Sequence, residues 1–405
     1  MGCTSSTPSQ TLVAKDVTKE SNGVEKSNVE REENLTEPLG LSNHYHFNPH
    51  AAKTLTAKVG DLSIRYACFS QRGRDPDHPH KPNQDCFGHN WNNSAAYFAV
   101  YDGHGPTGEK CSGFVKTKLP PLLKKYIEEK GGNDWVTTDD IHKALHNAHV
   151  ECNKQLHQSE IDDSLSGTTS VSLYIHDGCM TACNVGDSRL ILGTMSKNNE
   201  IQALPLSKDH TPYRPDEAAR CKAAGARILS MGQIDPSTIG EGDEDIEDPP
   251  RVWAPDAPMP GTAFTRSLGD SVAEKLGVNA EPELLTLVIS PTERLVVIAS
   301  DGIFDVVSNQ EVVDICFRHK SDPATACIEL INKSHKEWLL NDDCDEDKAN
   351  YDDMTCICIF FDHAAHKDEN NVDLPQASTH ENQQQRQGKR VRQKTLQNLD
   401  EMKVT

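Results

Sequence analysis

This sequence predicts an α+β fold, with layered sheets flanked by helices inside one ordered body. Three observations predict it. Two short apolar runs, Tyr97-Phe-Ala-Val-Tyr101 and Leu295-Val-Val-Ile-Ala299, are each closed by Asp-Gly, at Asp102-Gly103 and, after Ser300, at Asp301-Gly302. Runs of that length bounded by glycine read as buried strands. Apolar residues recur at helical spacing between the runs, as at Ile141, Leu145, Ala148 and Cys152. The chain then returns to strand late, at Met354-Thr-Cys-Ile-Cys-Ile-Phe-Phe361 behind Asp352-Asp353. Strands, then helices, then a final strand imply sheets covered by helices within a single domain.

In chain order, residues 1–58 are rich in Ser, Thr, Glu and Asn and read as a disordered tether. Ile64–Cys68 reads as a strand, followed by a polar loop to Lys81-Pro-Asn-Gln-Asp85. Helices are expected at Phe114–Glu129 and Asp139–His157. Thr168–Ile175 and Cys179–Thr194 form a hairpin pattern around the turn signal His176-Asp177-Gly178. Pro215–Leu229 reads as a short helix with proline at its start. Met231–Pro260, rich in Gly, Asp, Glu and Pro, reads as a long acidic loop. Helices return at Gln310–Arg318 and Pro323–Leu340. The ordered domain is expected over 59–363, and residues 364–405, with the basic stretch Lys389-Arg390-Val391-Arg392-Gln393-Lys394, read as a disordered basic tail.

Composition narrows the function. Among 405 residues, 62 acidic side chains against 41 basic ones give a formal charge of −21, the wrong sign for a nucleic-acid surface. Thirteen cysteines without CxxC pairs, several inside apolar strands (Cys179, Cys183, Cys356, Cys358), fit small buried hydrophobes in a reducing cytosol better than a disulfide framework. No run of 18 apolar residues is present, and the N-terminus has no apolar signal segment. Met1-Gly2-Cys3-Thr4-Ser5-Ser6 does match a myristoylation pattern, with Gly2 as acceptor and Cys3 as a palmitoylation candidate. A cytoplasmic protein held to a membrane surface by acylation is therefore expected, since two acyl chains anchor stably where one does not.

Two decoys fail on their chemistry. Gly103-His-Gly105-Pro-Thr-Gly108 fits GxGxxG, but Asp102 would repel a pyrophosphate and no acid-ended second strand follows. Asp343, Asp345 and Asp347 alternate as in a calcium loop, but Lys348 stands where glycine is needed and Met354 where glutamate is. What remains are carboxylates at strand ends, far apart in sequence, which suits a hard divalent cation needing oxygen ligands on rigid backbone.

These motifs run in a fixed order: Gln84-Asp85, Asp102-Gly103-His104-Gly105, Ser166-Gly-Thr-Thr169, Asn184-Val-Gly-Asp187-Ser-Arg189, Thr265-Arg-Ser-Leu-Gly-Asp270, Ser300-Asp-Gly302 with Asp305, and Asp352-Asp353-Met-Thr355. The series resembles the metal-dependent serine/threonine protein phosphatases of type 2C, over about residue 60 to 362. The likeness is nearest to the phosphatase part of plant and protist proteins that join it to cyclic-nucleotide-binding and kinase domains. Ser70-Gln-Arg-Gly73, Lys81–Asp85 and Asp248-Pro-Pro-Arg251 through Arg266 carry it.

The resemblance implies a four-layer α-β-β-α sandwich, two antiparallel sheets packed face to face and flanked by helices. It implies two Mg2+ or Mn2+ ions bridged by Asp102, with the Gly103 carbonyl, Asp301 and Asp352 as further ligands. Asp187 matches a position for a third, weaker metal. Asp270 either orients water at the metals or closes a turn, and Asp85 orders water around them. His104 looks like the general acid for the leaving Ser or Thr oxygen, and an imidazole titrates in the right range for it. Arg189 and Arg266 read as structural hydrogen-bonders. Where animal members carry an Arg that binds substrate phosphate and a Glu before the Asp85 equivalent, this chain has His80 and Gln84. Lys81, with Arg72 as second candidate, is therefore expected to meet the phosphate as a point charge.

The expected protein is a monomeric phosphoprotein phosphatase, hydrolysing phosphoserine and phosphothreonine. An inactive relative serving as a binding module is disfavoured because every core acid is present. A small-molecule phosphohydrolase is disfavoured by the long acidic loop, which suits a protein substrate.

Overall fold

The computed structural model describes residues 52–130, 136–236, 248–341 and 349–363. The chain opens with the strands β1 (Leu55–Val59), β2 (Leu62–Gln71), β3 (Cys86–Trp91), β4 (Ala95–Tyr101) and the short β5 (Gly103–His104). Two long helices follow, α1 (Gly108–Glu128) and α2 (Thr138–His157). Next come β6 (Gly167–Thr168), β7 (Ser170–His176), β8 (Cys179–Val185), β9 (Arg189–Met195) and β10 (Ile201–Pro205). A smaller insertion contains α3 (Pro215–Ala223), β11 (Arg227–Leu229), α4 (Met231–Ile234), β12 (Arg251–Trp253) and β13 (Pro260–Thr262). The chain then runs through β14 (Leu268–Gly269), α5 (Ser271–Glu274), β15 (Glu283–Val288), β16 (Glu293–Ala299), α6 (Asp301–Phe304), α7 (Asn309–Arg318), α8 (Pro323–Asn341) and β17 (Met354–Asp362).

Two antiparallel sheets form the centre, in the orders β1-β2-β17-β16-β9-β10 and β15-β8-β7-β4-β3. Side chains alternate between the two faces of a strand, and that alternation builds the layers. From β4, Ala96, Phe98 and Val100 enter the core between the sheets, while Ala95, Tyr97, Ala99 and Tyr101 face the core under α1 and α2. From β17, Ile357, Ile359 and Phe361 enter the same inter-sheet core, while Met354, Cys356, Cys358 and Phe360 pack under α7 and α8. Both faces of each central strand are thus covered, which is why these strands read as unbroken apolar runs. The result is the expected four-layer α-β-β-α sandwich.

Local chemistry sets the turns. The β7–β8 hairpin closes through Asp177 (φ 47°) and Gly178 (φ 67°), two successive left-handed residues as a tight two-residue turn requires. Thr137 and Asp140 form a reciprocal capping box at the start of α2. All cysteines among the described residues are free thiols, and Cys316, Cys327, Cys356 and Cys358 lie in the apolar core, as expected of small hydrophobes.

Several boundaries differ from expectation. β1 begins at Leu55, inside the stretch read as tether, because Leu55↔Tyr66 to Val59↔Leu62 pair it to β2. The helix expected over Pro215–Leu229 ends at Ala223, and Gly225 (φ +94°) turns the chain into β11. The Met231–Pro260 loop is partly regular, since it holds α4, β12 and the start of β13, and these two strands form a small antiparallel sheet with β11. Its most acidic portion, 237–247, lies outside the described residues, as do the calcium-loop decoy at 343–348 apart from Met354, the basic tail, and Gly2 and Cys3.

Candidate active site

The sheets bring the far-flung acids to one rim. Across β3–β4, Cys86 pairs with Tyr101, so Asp85 just before β3 lies beside Asp102 just after β4. Across β16–β17 and β16–β9, Ala299 pairs with both Cys356 and Arg189. That places Asp301 beyond the end of β16, between Asp352-Asp353 before β17 and Asp187 before β9. Antiparallel pairing within each sheet, and the Ser300–Asp85 bond between the two sheets, put the starts of three strands and the ends of two at a common edge.

Cross-links lock this rim. The Asp102 N–H donates to Thr169 Oγ1 (3.1 Å) and its carbonyl accepts from the Thr169 N–H (2.8 Å). Ser300 Oγ donates to Asp85 Oδ2 (2.7 Å) and accepts from the Thr355 N–H (3.0 Å). Asp353 accepts from the N–H groups of Gly73 (2.6 Å) and Gln84 (2.8 Å), tying the Arg72–Lys81 loop to the same edge. Gln84, which departs from the animal pattern, is a fastener: its Nε2 donates to the Gly105 carbonyl (2.7 Å) and its own carbonyl accepts from Gly103 N–H (3.1 Å). A Cβ at Gly103 would lie 2.3 Å from the backbone oxygen of Gly108, so only glycine fits there. The GxGxxG-like glycines therefore pack backbone on backbone.

The acids line a recess that grades from buried to open. Asp85 and Asp353 are buried, Asp102, Asp187 and Asp301 are half-buried, and Asp352 is exposed. Burial, then the charges of Asp301, Asp85 and Asp352, push the Asp102 carboxyl well above its ordinary range. Burial and Asp352, with Asp305 and Asp187, do the same to Asp301. Burial and Asp353 push Asp85 up to about 8, and burial and Asp209 push Asp187 up to about 6. Like charges so close cannot all ionise without counter-charge. Among the described residues, Asp301 Oδ1 and Asp85 Oδ1 are buried with no hydrogen-bond partner. An all-oxygen donor set with orphaned carboxylate oxygens and crowded negative charge fits hard divalent cations such as Mg2+ or Mn2+.

His104 stands beside this recess with its side chain 25% exposed, its ring 4.3 Å from that of Phe264. Its Nε2 donates to Asp270 Oδ2 at 2.6 Å, which leaves Nδ1 for another partner. Burial works against the imidazolium, but the Asp270 carboxylate outweighs it and raises the pKa. Asp270, expected with the metal set, has its Oδ2 engaged with His104, and the same oxygen also accepts from Ser267 Oγ (2.7 Å). Arg189 pairs bidentately with Asp209 (3.0 and 2.5 Å) and Arg266 with Glu217 (2.7 Å), both as fasteners. Lys81 and Arg72 are exposed on the loop above, with the Lys81 charge near enough to favour ionised Asp353.

Three acids near the centre were given no role by sequence reasoning: Asp305, Asp209 and Asp353. Asp305 was within reach, for it lies four residues after Asp301 and its N–H bonds the Asp301 carbonyl (2.8 Å) in the turn of α6. The charge of Asp209 counts at the centre only through tertiary adjacency, which spacing does not encode.

Fold and site together define a metal-dependent enzyme whose oxygen-lined centre sits at the shared rim of two stacked sheets. Residues 74–337 match the family described as Protein phosphatase 2C. The chain belongs to this family, and with it to the metal-dependent serine/threonine protein phosphatases. It is 41% identical over 309 residues to "Probable protein phosphatase 2C 35" of Arabidopsis thaliana, covering 74% of this chain and 84% of that one. Identity to "Probable protein phosphatase 2C 72" of the same plant is 31% over 268 residues, 65% of this chain and 75% of that one. The fold matches the crystal structure of a serine-threonine phosphatase 2C from Toxoplasma gondii with a TM-score of 0.61 at 20% identity, over 76% of this chain and 99% of that one.

Proposed function

We propose that the chain hydrolyses phosphoserine and phosphothreonine in proteins with two Mg2+ or Mn2+ ions held by Asp102, the Gly103 carbonyl, Asp301 and Asp352. The observation that carries this reading is the convergence of Asp102, Asp301, Asp352 and Asp85 from four strand ends onto one rim, with Asp301 Oδ1 and Asp85 Oδ1 lacking a hydrogen-bond partner among the described residues. Asp187 and Asp305 are the groups for a third, weaker site. When bound, such ions neutralise the phosphoryl oxygens and make water a competent nucleophile at neutral pH. Asp85, fixed by Ser300, orients water from the buried side of the recess. His104, held by Asp270 through Nε2, presents its other nitrogen and gives a proton to the departing Ser or Thr oxygen. Lys81, with Arg72 behind it, meets the substrate phosphate as an exposed point charge.

The acylation pattern at Gly2 and Cys3 supports anchoring on the cytoplasmic face of a membrane. Release of phosphate from a phosphothreonine peptide, measured with Mn2+ or Mg2+ and with chelator, tests the chemistry. Activity is expected only with the cation. Turnover that persists in chelator overturns the reading.

A further inference from the structure

Asp270 aims its carboxylate at His104 from an improbable backbone. Gly269 (φ +97°) and Asp270 (φ +52°) are two successive left-handed residues, and a non-glycine residue there is uncommon and costs free energy. The turn is also crowded. A Cβ at Gly269 would lie 2.6 Å from the Ser166 carbonyl, and one at Gly167 would lie 2.2 Å from Asp270 Oδ2. Such a conformation persists only where its surroundings over-determine it.

Those surroundings come from the last turn of α2, the loop that follows it and α5. Asn153 Oδ1 accepts from the Gly269 N–H (2.8 Å), while its Nδ2 donates to Glu274 Oε1 (2.6 Å) at the end of α5. His157 bridges Asp163 (2.5 Å) and Glu274 (3.2 Å). Asp163 in turn accepts the Ser271 N–H on its carbonyl (3.0 Å), and Ser166 accepts the Asp270 N–H (2.9 Å). Asn153 and Asp163 are each 8% exposed, so these bonds are sheltered from water. Its hydrogen bond to Glu274, opposed by burial and joined by Asp163, raises His157 to about 9.

We propose that Asn153, supported by the His157–Asp163–Glu274 cluster, is a positioning residue that holds the Gly269–Asp270 turn and thereby sets the Asp270–His104 pair for proton donation to the leaving oxygen. The inference rests on the reading of His104 as proton donor. It implies a specific kinetic signature, because a general acid matters for a poor leaving group such as a threonine alkoxide and little for p-nitrophenolate, which departs unaided. A displacement of the acid by a fraction of an ångström then lowers turnover without touching substrate binding.

The test compares a phosphothreonine peptide with p-nitrophenyl phosphate, using the full chain with saturating Mn2+. For Asn153→Ala, kcat on the peptide is expected to fall roughly tenfold, with KM within about twofold and p-nitrophenyl phosphate turnover nearly unchanged. His104→Ala should show the same selectivity with a larger fall, roughly a hundredfold or more. If His104→Ala slows both substrates equally, the proton-donor reading fails and the clamp falls with it. If His104→Ala is selective while Asn153→Ala slows both substrates equally, or neither, the clamp alone is overturned. A second pair guards against a misfolded Asn153 variant. Glu274→Gln keeps an acceptor for Asn153 Nδ2 and should retain the wild-type substrate ratio, whereas Glu274→Ala should lower it; equal ratios in the two variants overturn the clamp.

Discussion

Replacing Glu217 should separate the stability of the loop beneath the site from its chemistry. Its side chain is 1% exposed and is held from three directions. Arg220 donates to both carboxylate oxygens (2.7 Å each), Arg266 to Oε1 (2.7 Å) and Thr265 Oγ1 to Oε2 (2.6 Å). Burial raises the cost of its charge, but these donors win and hold the carboxyl well below the usual range. Glu217→Ala removes the carboxylate shared by two guanidinium groups that are only 29% and 13% exposed. Removing one member of such a buried charge network costs about 3–5 kcal/mol. In a domain of this size that lowers Tm by roughly 5–8 °C.

Glu217→Gln keeps the volume but turns an acceptor into a donor facing arginine, and should cost about 1–3 kcal/mol. The pH dependence has a definite sign. A carboxylate whose folded pKa is depressed adds stability that is complete above its unfolded pKa of about 4.3 and is lost as the pH falls further. The stability difference between wild type and Glu217→Gln, from urea unfolding, should therefore be flat from pH 5 to 8 and shrink below about pH 4. A difference that holds or grows at pH 3, or a Glu217→Ala variant that melts within 1 °C of wild type, would falsify the reasoning.

Asp301→Asn should abolish cation-dependent turnover and remove the rise in Tm that Mn2+ gives the wild-type chain; a variant that keeps either is evidence against Asp301 as a ligand. Lys81→Ala should raise KM for a phosphothreonine peptide by roughly tenfold, the worth of one charge-assisted contact, with a smaller effect from Arg72→Ala; an unchanged KM would move the phosphate contact elsewhere. Phe98→Ala opens the core between the sheets, where Phe98 is wholly buried, and should cost about 3–5 kcal/mol by urea unfolding. Gly2→Ala should shift the protein from membrane to soluble fractions, and an unchanged distribution counts against acylation.

Much of this molecule is legible in its sequence because the signals are local. Tyr97–Tyr101 and Leu295–Ala299 read as buried strands since both faces of each are covered, and the Asp177-Gly178 turn carries its own left-handed chemistry. The order of the acidic motifs carried the family resemblance, and the four-layer sandwich followed from that. Other features are not written locally. β1 lies in a stretch polar enough to pass for tether, and it becomes a strand only because β2 offers it a ladder. The insertion strands β11–β13 are three residues each, too short for any periodicity to register.

The two Asp-Gly strand ends are the clearest division between the two kinds of information. The sequence by itself determined that Asp102 and Asp301 sit on rigid backbone at sheet rims, because an apolar run followed by glycine fixes where a strand must stop. Tertiary structure alone decided that both rims are the same rim, since the pairing of β16 with β9 and β17, the pairing of β3 with β4, and the Ser300–Asp85 bond that joins the two sheets are matters of neighbours rather than spacing. It also decided the fate of Asp270. Its motif offers a metal role or a turn role equally well, and the left-handed turn that points its carboxylate at His104 is held by bonds from distant parts of the chain, among them Asn153 on α2, 116 residues away, which accepts the Gly269 N–H.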